Sequence, residues 1–327
     1  MQFLSSFHHG AINIHDSDEE SIRSRIGAMQ KQERSGYKCS YYMKNVHQRQ
    51  GPKPSDSHMC TQDRAKASKR KNQVNEDFRC EIVSWLFSMV EYLELNNETV
   101  SIAMSYVDRF LQTDSGIPAL SNRRTFQQVA IASFFIAIKL FEPALVDADT
   151  MSVCVRGEYT ANEIISMETL VLKALQWRVN PPTALAFVHH YLSLCPQEVI
   201  PEPVVCALYD AARFQTEIAM KDYFFVAVNR STIAIASILN AMEGMPDTFL
   251  PDSARHFIIQ KIMDITTTHD SFTGSLKTKE KLKRGLTRGF NFEVLLLKYS
   301  MNSLSFTPKA MSDVNLPRAN MPLICTT

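Results

Sequence analysis

An all-α fold is what this sequence predicts, built as two tandem five-helix units with disordered tails. Three observations point there. Gly is scarce, at 10 of 327 residues, and apolar positions recur at helical rather than alternating spacing. The stretch 126–142, FQQVAIASFFIAIKLFE, carries no charge between Arg124 and Lys139. A helix apolar on every side is buried on every side, and this one is too short to span a bilayer. Finally, the string Ala130-Ile131-Ala132-Ser133 returns 104 residues later as Ala234-Ile235-Ala236-Ser237, again inside an uncharged run. The same offset carries Phe78, at the start of the first unit, onto Pro182, where a second unit would begin.

Taken in order, residues 1–74 are polar and irregular. Leu4 is the only Leu before Leu86, so this segment cannot bury enough surface to offset its ordering entropy. It reads as a disordered tail, with a short amphipathic helix around 19–32 weakly supported. The first unit occupies 75–180. Asn75 is placed to cap a helix with acids in its first turn, and Ile82, Leu86, Met89 and Leu93 follow helical spacing. A second helix runs over 98–111, with Val100, Met104, Val107 and Leu111 on one side. Turn residues in TDSGIPALSN lead into the central helix. A short helix or turn follows at 147–156. Thr160 with Glu163 forms a capping box for the next helix, whose buried stripe is Ile164, Met167, Val171 and Leu175. Pro181-Pro182 closes the unit. The second unit, 181–297, is expected to hold helices at 183–194, 202–226, 230–243, 252–267 and 277–289. Residues 298–327 read as a disordered tail.

Composition bounds the function. Basic and acidic residues number 35 and 34, so the balance gives no general drive toward nucleic acid or acidic lipid. The seven Cys include no C-x-x-C pair, which argues for reduced thiols rather than a disulfide framework or zinc ribbon. Signal-peptide and transmembrane patterns are missing, and the chain reads as intracellular. No phosphate-binding glycine loop, nucleophile elbow or H-E-x-x-H occurs. His189-His190 are neighbours that diverge by about 100° on a helix, a poor metal pair better read as packing. His8-His9 lie in the tail, and Glu19-Glu20 lie outside any credible pocket. The chain therefore reads as a non-enzyme with no cofactor and no metal. Lys139 itself has two open readings, a cation at a helix C-terminus or a contact for a partner.

The first unit resembles the cyclin box. FRCEIVSWLF at 78–87 is similar to the family's first-helix signature, with Arg79 and Trp85 in register. ETVSIAMSYVDRFL at 98–111 is similar to the second, including Tyr106, Asp108, Arg109, Phe110 and Leu111. FQQVAIASFFIAIKLFEP matches the third helix, and ISMETLVLKALQWRVNPPT follows without a gap through Thr183. The resemblance covers about 75–295 and is weaker in the second unit, where MKDYFFVAVNRSTIAIAS at 220–237 still resembles the second cyclin fold. Its spread of degenerate matches is similar to the expanded diatom-type cyclins, with the subtype open.

That resemblance implies a regulatory subunit that binds and activates a cyclin-dependent serine/threonine kinase in cell-cycle control, in the nucleus or cytoplasm. It places Lys139 and Glu168 on the family's kinase-contacting pair, with Leu140, Leu172 and Val179 on apolar contact positions. Arg79 and Asp108 match a buried structural ion pair. At the 104-residue offset Lys139 falls on Glu243 and Glu168 on Phe272, so only the first unit carries this charge pair. The family's docking patch for an arginine-x-leucine motif on substrates or inhibitors maps to Phe78, Ile82, Trp85, Phe126 and Gln127. Here Glu81 stands at an apolar patch position and Ser88 replaces an acid. Docking is therefore expected to be weak, altered or absent, and Trp85 can equally be core. A destruction box is missing before the fold. RAKASKRK at 64–71 reads as an import signal or a solvated basic run, and Thr307-Pro308-Lys309 is a minimal proline-directed site. The rival reading is a transcription-factor-IIB-like scaffold, or another non-kinase scaffold on the same fold. The first would want an N-terminal zinc ribbon and a basic face, and the sequence has neither.

Overall fold

The structure, a computed structural model, describes residues 19–43, 74–143, 146–196, 199–266 and 269–285. Among these residues there are eleven α-helices and no strand. In chain order they are α1 (Glu19–Arg34), α2 (Glu76–Tyr92), α3 (Glu98–Phe110), α4 (Arg123–Phe141), α5 (Ala148–Cys154) and α6 (Ala161–Ala174). They continue as α7 (Ala184–Leu192), α8 (Glu202–Lys221), α9 (Arg230–Gly244), α10 (Asp252–Ile265) and α11 (His269–Gly285). Short 3-10 turns lie at Ile117–Ser121 and Tyr223–Ala227. His8-His9, the basic run 64–71, Thr307-Pro308-Lys309 and the tail 298–327 lie outside the described residues.

The chain divides into two compact units, and neither is a simple run of sequence. The first takes in Tyr37–Pro181 and Lys221–Ala227. The second takes in the described residues before Tyr37, Pro182–Met220 and the described residues from Val228 on.

In the first unit α4 is the central helix. Its residues 129–138 are all buried, as the uncharged run requires. Asn122 starts it by accepting from the amides of Arg124 and Thr125 at 2.9 and 3.3 Å. Helices α2, α3 and α6 and the turn at Ile117–Ser121 pack around it. The capping box of α6 forms as its sequence predicts, with Thr160 and Glu163 bonded reciprocally. At the far end of α4, Glu142 accepts from the Asn96 amide at 2.9 Å and from the Thr99 hydroxyl. The start of α3, which its N-cap Asn97 does not cap through its side chain, is thus tied to the end of α4.

The expected helix 202–226 stops early. Asp222 accepts from the Phe224 amide at 2.9 Å and turns the chain into the 3-10 segment. That segment packs on α2 in the first unit. The segment 37–43, expected to be disordered, docks there as well. Tyr41 donates to the Phe224 carbonyl at 2.9 Å, and Met43 donates its amide to the Tyr223 hydroxyl at 2.8 Å.

In the second unit α9 is the central helix. Ala234, Ile235, Ala236 and Ser237 have no exposure, like their counterparts in α4. Helix α1, inside the stretch read as a tail, packs here against α7 and α10. It buries Ile22 and Ile26 in the same core as Phe187, Tyr191, Ile235 and Ile238. Two isoleucines at i and i+4 suffice because this unit supplies the rest of the apolar surface. Helix α1 also completes α9. The α9 N-cap, Asn229, makes no side-chain bond. Glu33, 3% exposed, accepts instead from the Ser231 amide at 2.9 Å and from the Ser231 hydroxyl. A carboxylate at a helix N-terminus is favourable, so α1 supplies in trans the cap that the local sequence lacks.

Glu33→Ala should cost about 1–2 kcal/mol by urea denaturation, the worth of a lost cap. Burial pushes the Glu33 carboxyl up, against the pull of the Ser231 hydrogen bonds. The folded chain then holds this proton more tightly than the unfolded chain. The contribution is greatest below the unfolded value of 4.5 and is lost as pH rises through the raised folded value. Glu33→Gln, which has no such proton, should gain stability relative to wild type as pH is raised from about 4 to about 8.

Candidate functional site

The candidate site lies on the edge of the first unit where α4 ends beside α6. Lys139, in the last turn of α4, and Glu168, midway along α6, form an ion pair. The Lys139 side chain is 40% exposed and that of Glu168 12%. The lysine also lies over the Phe135 ring, 4.4 Å from its centroid. An ion pair this open adds about 0–1 kcal/mol to stability. Stability alone is therefore a poor reason for two charges to stand there.

Apolar side chains that reach solvent stand close by along the chain. Leu140 is 50% exposed, and Leu172, one turn along α6 from Glu168, is half-buried, as is Val179. The most exposed aromatic among the described residues, Trp177 at 68%, belongs to the same stretch of chain and was not singled out by sequence reasoning. Both Gln176 and Trp177 adopt positive φ, 53° and 56°. Two consecutive left-handed residues, neither of them glycine, cost about 1–3 kcal/mol each. The turn is held by the Trp177 amide donating to the Leu172 carbonyl at 3.0 Å. Beyond it, Tyr106 donates to the Val179 carbonyl and Arg109 donates to the Arg178 carbonyl at 2.8 Å. The turn, left-handed and anchored, holds the indole in solvent. The one sequence signal for it was a Trp between Gln176 and Arg178 just past the last periodic residue, Leu175.

Arg79 and Asp108 are 3% and 1% exposed and meet in a two-pronged pair, with contacts of 3.0 and 2.8 Å. Tyr42 donates to the same carboxylate at 2.9 Å. Burial disfavours the Arg79 charge, but Asp108 more than compensates and holds its proton more firmly than usual. This assembly joins α2 and α3 beneath the surface and presents nothing to a partner.

The residues mapped to the docking patch are core. Phe78, Ile82, Trp85, Phe126 and Gln127 are each 5% exposed or less, and the Phe78 and Phe126 rings meet edge-on at 5.7 Å. The Arg123 guanidinium lies over Phe78, 4.7 Å from the ring centroid. What α2 shows to solvent here is Glu81 and Ser88. His189 and His190 stand half-buried, their rings edge-on to each other at 5.4 Å. Burial, then the charges of His189 and Arg25, pull His190 down to about 4. Burial lowers His189 as well.

The second unit carries the opposite polarity at the matching place. Glu243, near the end of α9, is bound by Lys279 at 2.7 Å and by Lys283, both on α11. Hydrogen bonds from these lysines hold its carboxyl down at about 2. The side chain of Phe272 lies outside the described residues. Of the two units, only the first sets a lysine on its central helix against an acid.

Comparison with known proteins places this geometry. The cyclin N-terminal domain family matches residues 41–180. Cyclin-A1-4 of Oryza sativa subsp. japonica is 25% identical over 76% of this chain and 66% of its own length. G2/mitotic-specific cyclin-A of Spisula solidissima is 32% identical over 39% of this chain and 29% of its own length. The chain thus spans less than two thirds of either relative. A viral cyclin from herpesvirus saimiri, solved by X-ray, shares the fold with a TM-score of 0.52 at 20% identity. That likeness covers 65% of this chain and 88% of the viral one. Residues 41–180 thus match the cyclin N-terminal domain family, and the chain is similar to cyclins. No helix among its described residues is long and apolar enough to cross a membrane.

Removing either member of the buried pair strands the other. Arg79→Met or Asp108→Leu alone should cost about 3–5 kcal/mol in urea denaturation, and the double replacement less than either. With the patch residues buried and Glu81 in front, an arginine-x-leucine peptide titrated into the protein should bind more weakly than about 1 μM. Replacing Glu81 with Leu should tighten it.

Proposed function

We propose that this chain is a regulatory subunit that binds and activates a cyclin-dependent serine/threonine kinase through the Lys139–Glu168 edge. The observation that carries the reading is the part-exposed Lys139–Glu168 ion pair, with Leu140 next to Lys139 and Leu172 one helical turn beyond Glu168, in the part of the chain that matches the cyclin N-terminal domain. The cyclin contributes no catalytic group. Its charges pair with the backbone and side chains of the kinase's regulatory helix and hold that helix inward. The kinase's internal Lys–Glu ion pair then forms and positions the ATP phosphates. Binding shifts the kinase population toward its active state.

The division of labour follows from the magnitudes. Lys139 and Glu168 satisfy each other in the free protein, so exchanging that pair for contacts with a kinase gains little net energy. They set register and on-rate. Affinity comes from the apolar side chains, with Trp177 as the anchor, because a rigid aromatic pays little entropy when it is buried. The setting is cell-cycle control in the nucleus or cytoplasm.

Pulling the full chain from its own cells and assaying for co-purifying kinase tests this. Wild type should bring down kinase activity. Trp177→Ala should weaken capture by about thirtyfold, a loss of about 2 kcal/mol. The Lys139→Ala, Glu168→Ala double variant should slow association and flatten its salt dependence. Wild-type capture by all of these variants would place the interface elsewhere.

A further inference from the structure

Arg109 is a buried cation without a counter-ion among the described residues. It is 6% exposed and takes part in no ion pair there. One of its terminal nitrogens, Nη2, donates to the Arg178 carbonyl, and the other, Nη1, is buried without a partner. A guanidinium does not escape the cost of burial by losing its proton, so an anion is what this place lacks. A second guanidinium, that of the exposed Arg178, lies close enough for its charge to bear on Arg109.

Covering Arg109 is Tyr37. Its ring centroid is 4.6 Å from the guanidinium carbon, and the residue is half-buried in a non-helical segment whose neighbours Lys38 and Ser40 are exposed. Its hydroxyl oxygen accepts from the Asn180 amide at 3.3 Å. The other two tyrosines of the segment are placed differently. Tyr42 donates to the Asp108 carboxylate, where a phosphate would be repelled, and Tyr41 donates to a carbonyl. The Tyr37 oxygen faces a backbone donor, and its ring lies on the Arg109 guanidinium.

We propose that Tyr37 is a phosphorylation site whose phosphate is received by Arg109, Arg178 and the Asn180 amide. The Tyr37 oxygen attacks the γ-phosphorus of ATP held by a separate tyrosine-directed kinase. The new O–P bond forms as the bond to ADP breaks, and the hydroxyl proton passes to a base on that kinase. The phosphate carries a charge of about −1.5 to −2 at pH 7 and supplies the anion that Arg109 lacks. It pins residue 37 to the segment 178–180, which follows directly on Trp177. The effect on partner binding rests on the reading of that edge given above, whereas the site itself does not.

The test uses the full chain treated with ATP and a broad-specificity tyrosine kinase, mapped by mass spectrometry and followed by phosphorus NMR. Phosphate should appear at Tyr37 in preference to Tyr41 and Tyr42. Its second ionisation, ordinarily near pH 6, should be lowered by about one unit, a tenfold effect. Arg178→Ala, an exposed replacement, should return most of that shift, and thermal unfolding of the phosphorylated chain should occur at higher temperature. An unshifted ionisation, no response to Arg178→Ala, or modification confined to other tyrosines would overturn the proposal. Kinase capture is measured separately on the same samples. A shifted phosphate with unchanged capture would leave the site standing and locate the partner edge away from Trp177.

Discussion

A helix with no polar side has to be surrounded, and its ends then have to be satisfied by something other than water. That constraint governs both units. Helices α4 and α9 have the same small-residue body, in which Ala and Ser let neighbours approach closely. Their sides are therefore solved alike. Their ends are not. Asn122 caps α4 from the adjacent residue, whereas α9 relies on Glu33 from α1. At the other end of α4, Glu142 is spent on the start of α3.

The parts of the fold written locally were legible. Apolar periodicity, the Asn75 cap and the Thr160–Glu163 box each involve residues within a few positions of one another, and they place α2, α4 and α6 where the structure has them. What could not be read was whatever depends on a distant partner. Helix α1 looks too polar to fold because its sequence shows two isoleucines and not the core that receives them. The 37–43 segment has no period at all, since its tyrosines bind through hydroxyls to groups 66 to 183 residues away. Residues 221–226 continue a helical pattern until Asp222 turns them.

The site was half legible for a related reason. Lys139 and Glu168 stood out because a charge at the end of an apolar run is conspicuous, and a family pattern placed its counterpart. Trp177 did not, because what sets it apart is conformational. Exposure and a left-handed backbone do not register in a hydrophobic pattern. The docking-patch residues were ambiguous in the other direction, since Phe78, Ile82 and Trp85 are equally good as groove and as core, and the structure adds that their side chains are buried. Inversion of charge at Glu243 shows how a repeated scaffold distinguishes its copies, by changing the rim and leaving the core alone.

The hydrogen bond between Glu33 and Ser231 spans 198 residues. A chain leaving the ribosome at about 5–20 residues per second makes α1 roughly ten to forty seconds before the helix it must cap. The first unit is in a similar position, since it is not complete until Lys221–Ala227 has emerged. During that interval Ile22 and Ile26 have no core to enter, and a nascent chain with apolar side chains waiting for partners is a client for chaperones. A polar α1 with only two isoleucines exposes little in the meantime. The same sparseness that left the helix only weakly marked in the sequence protects the chain while it is being made.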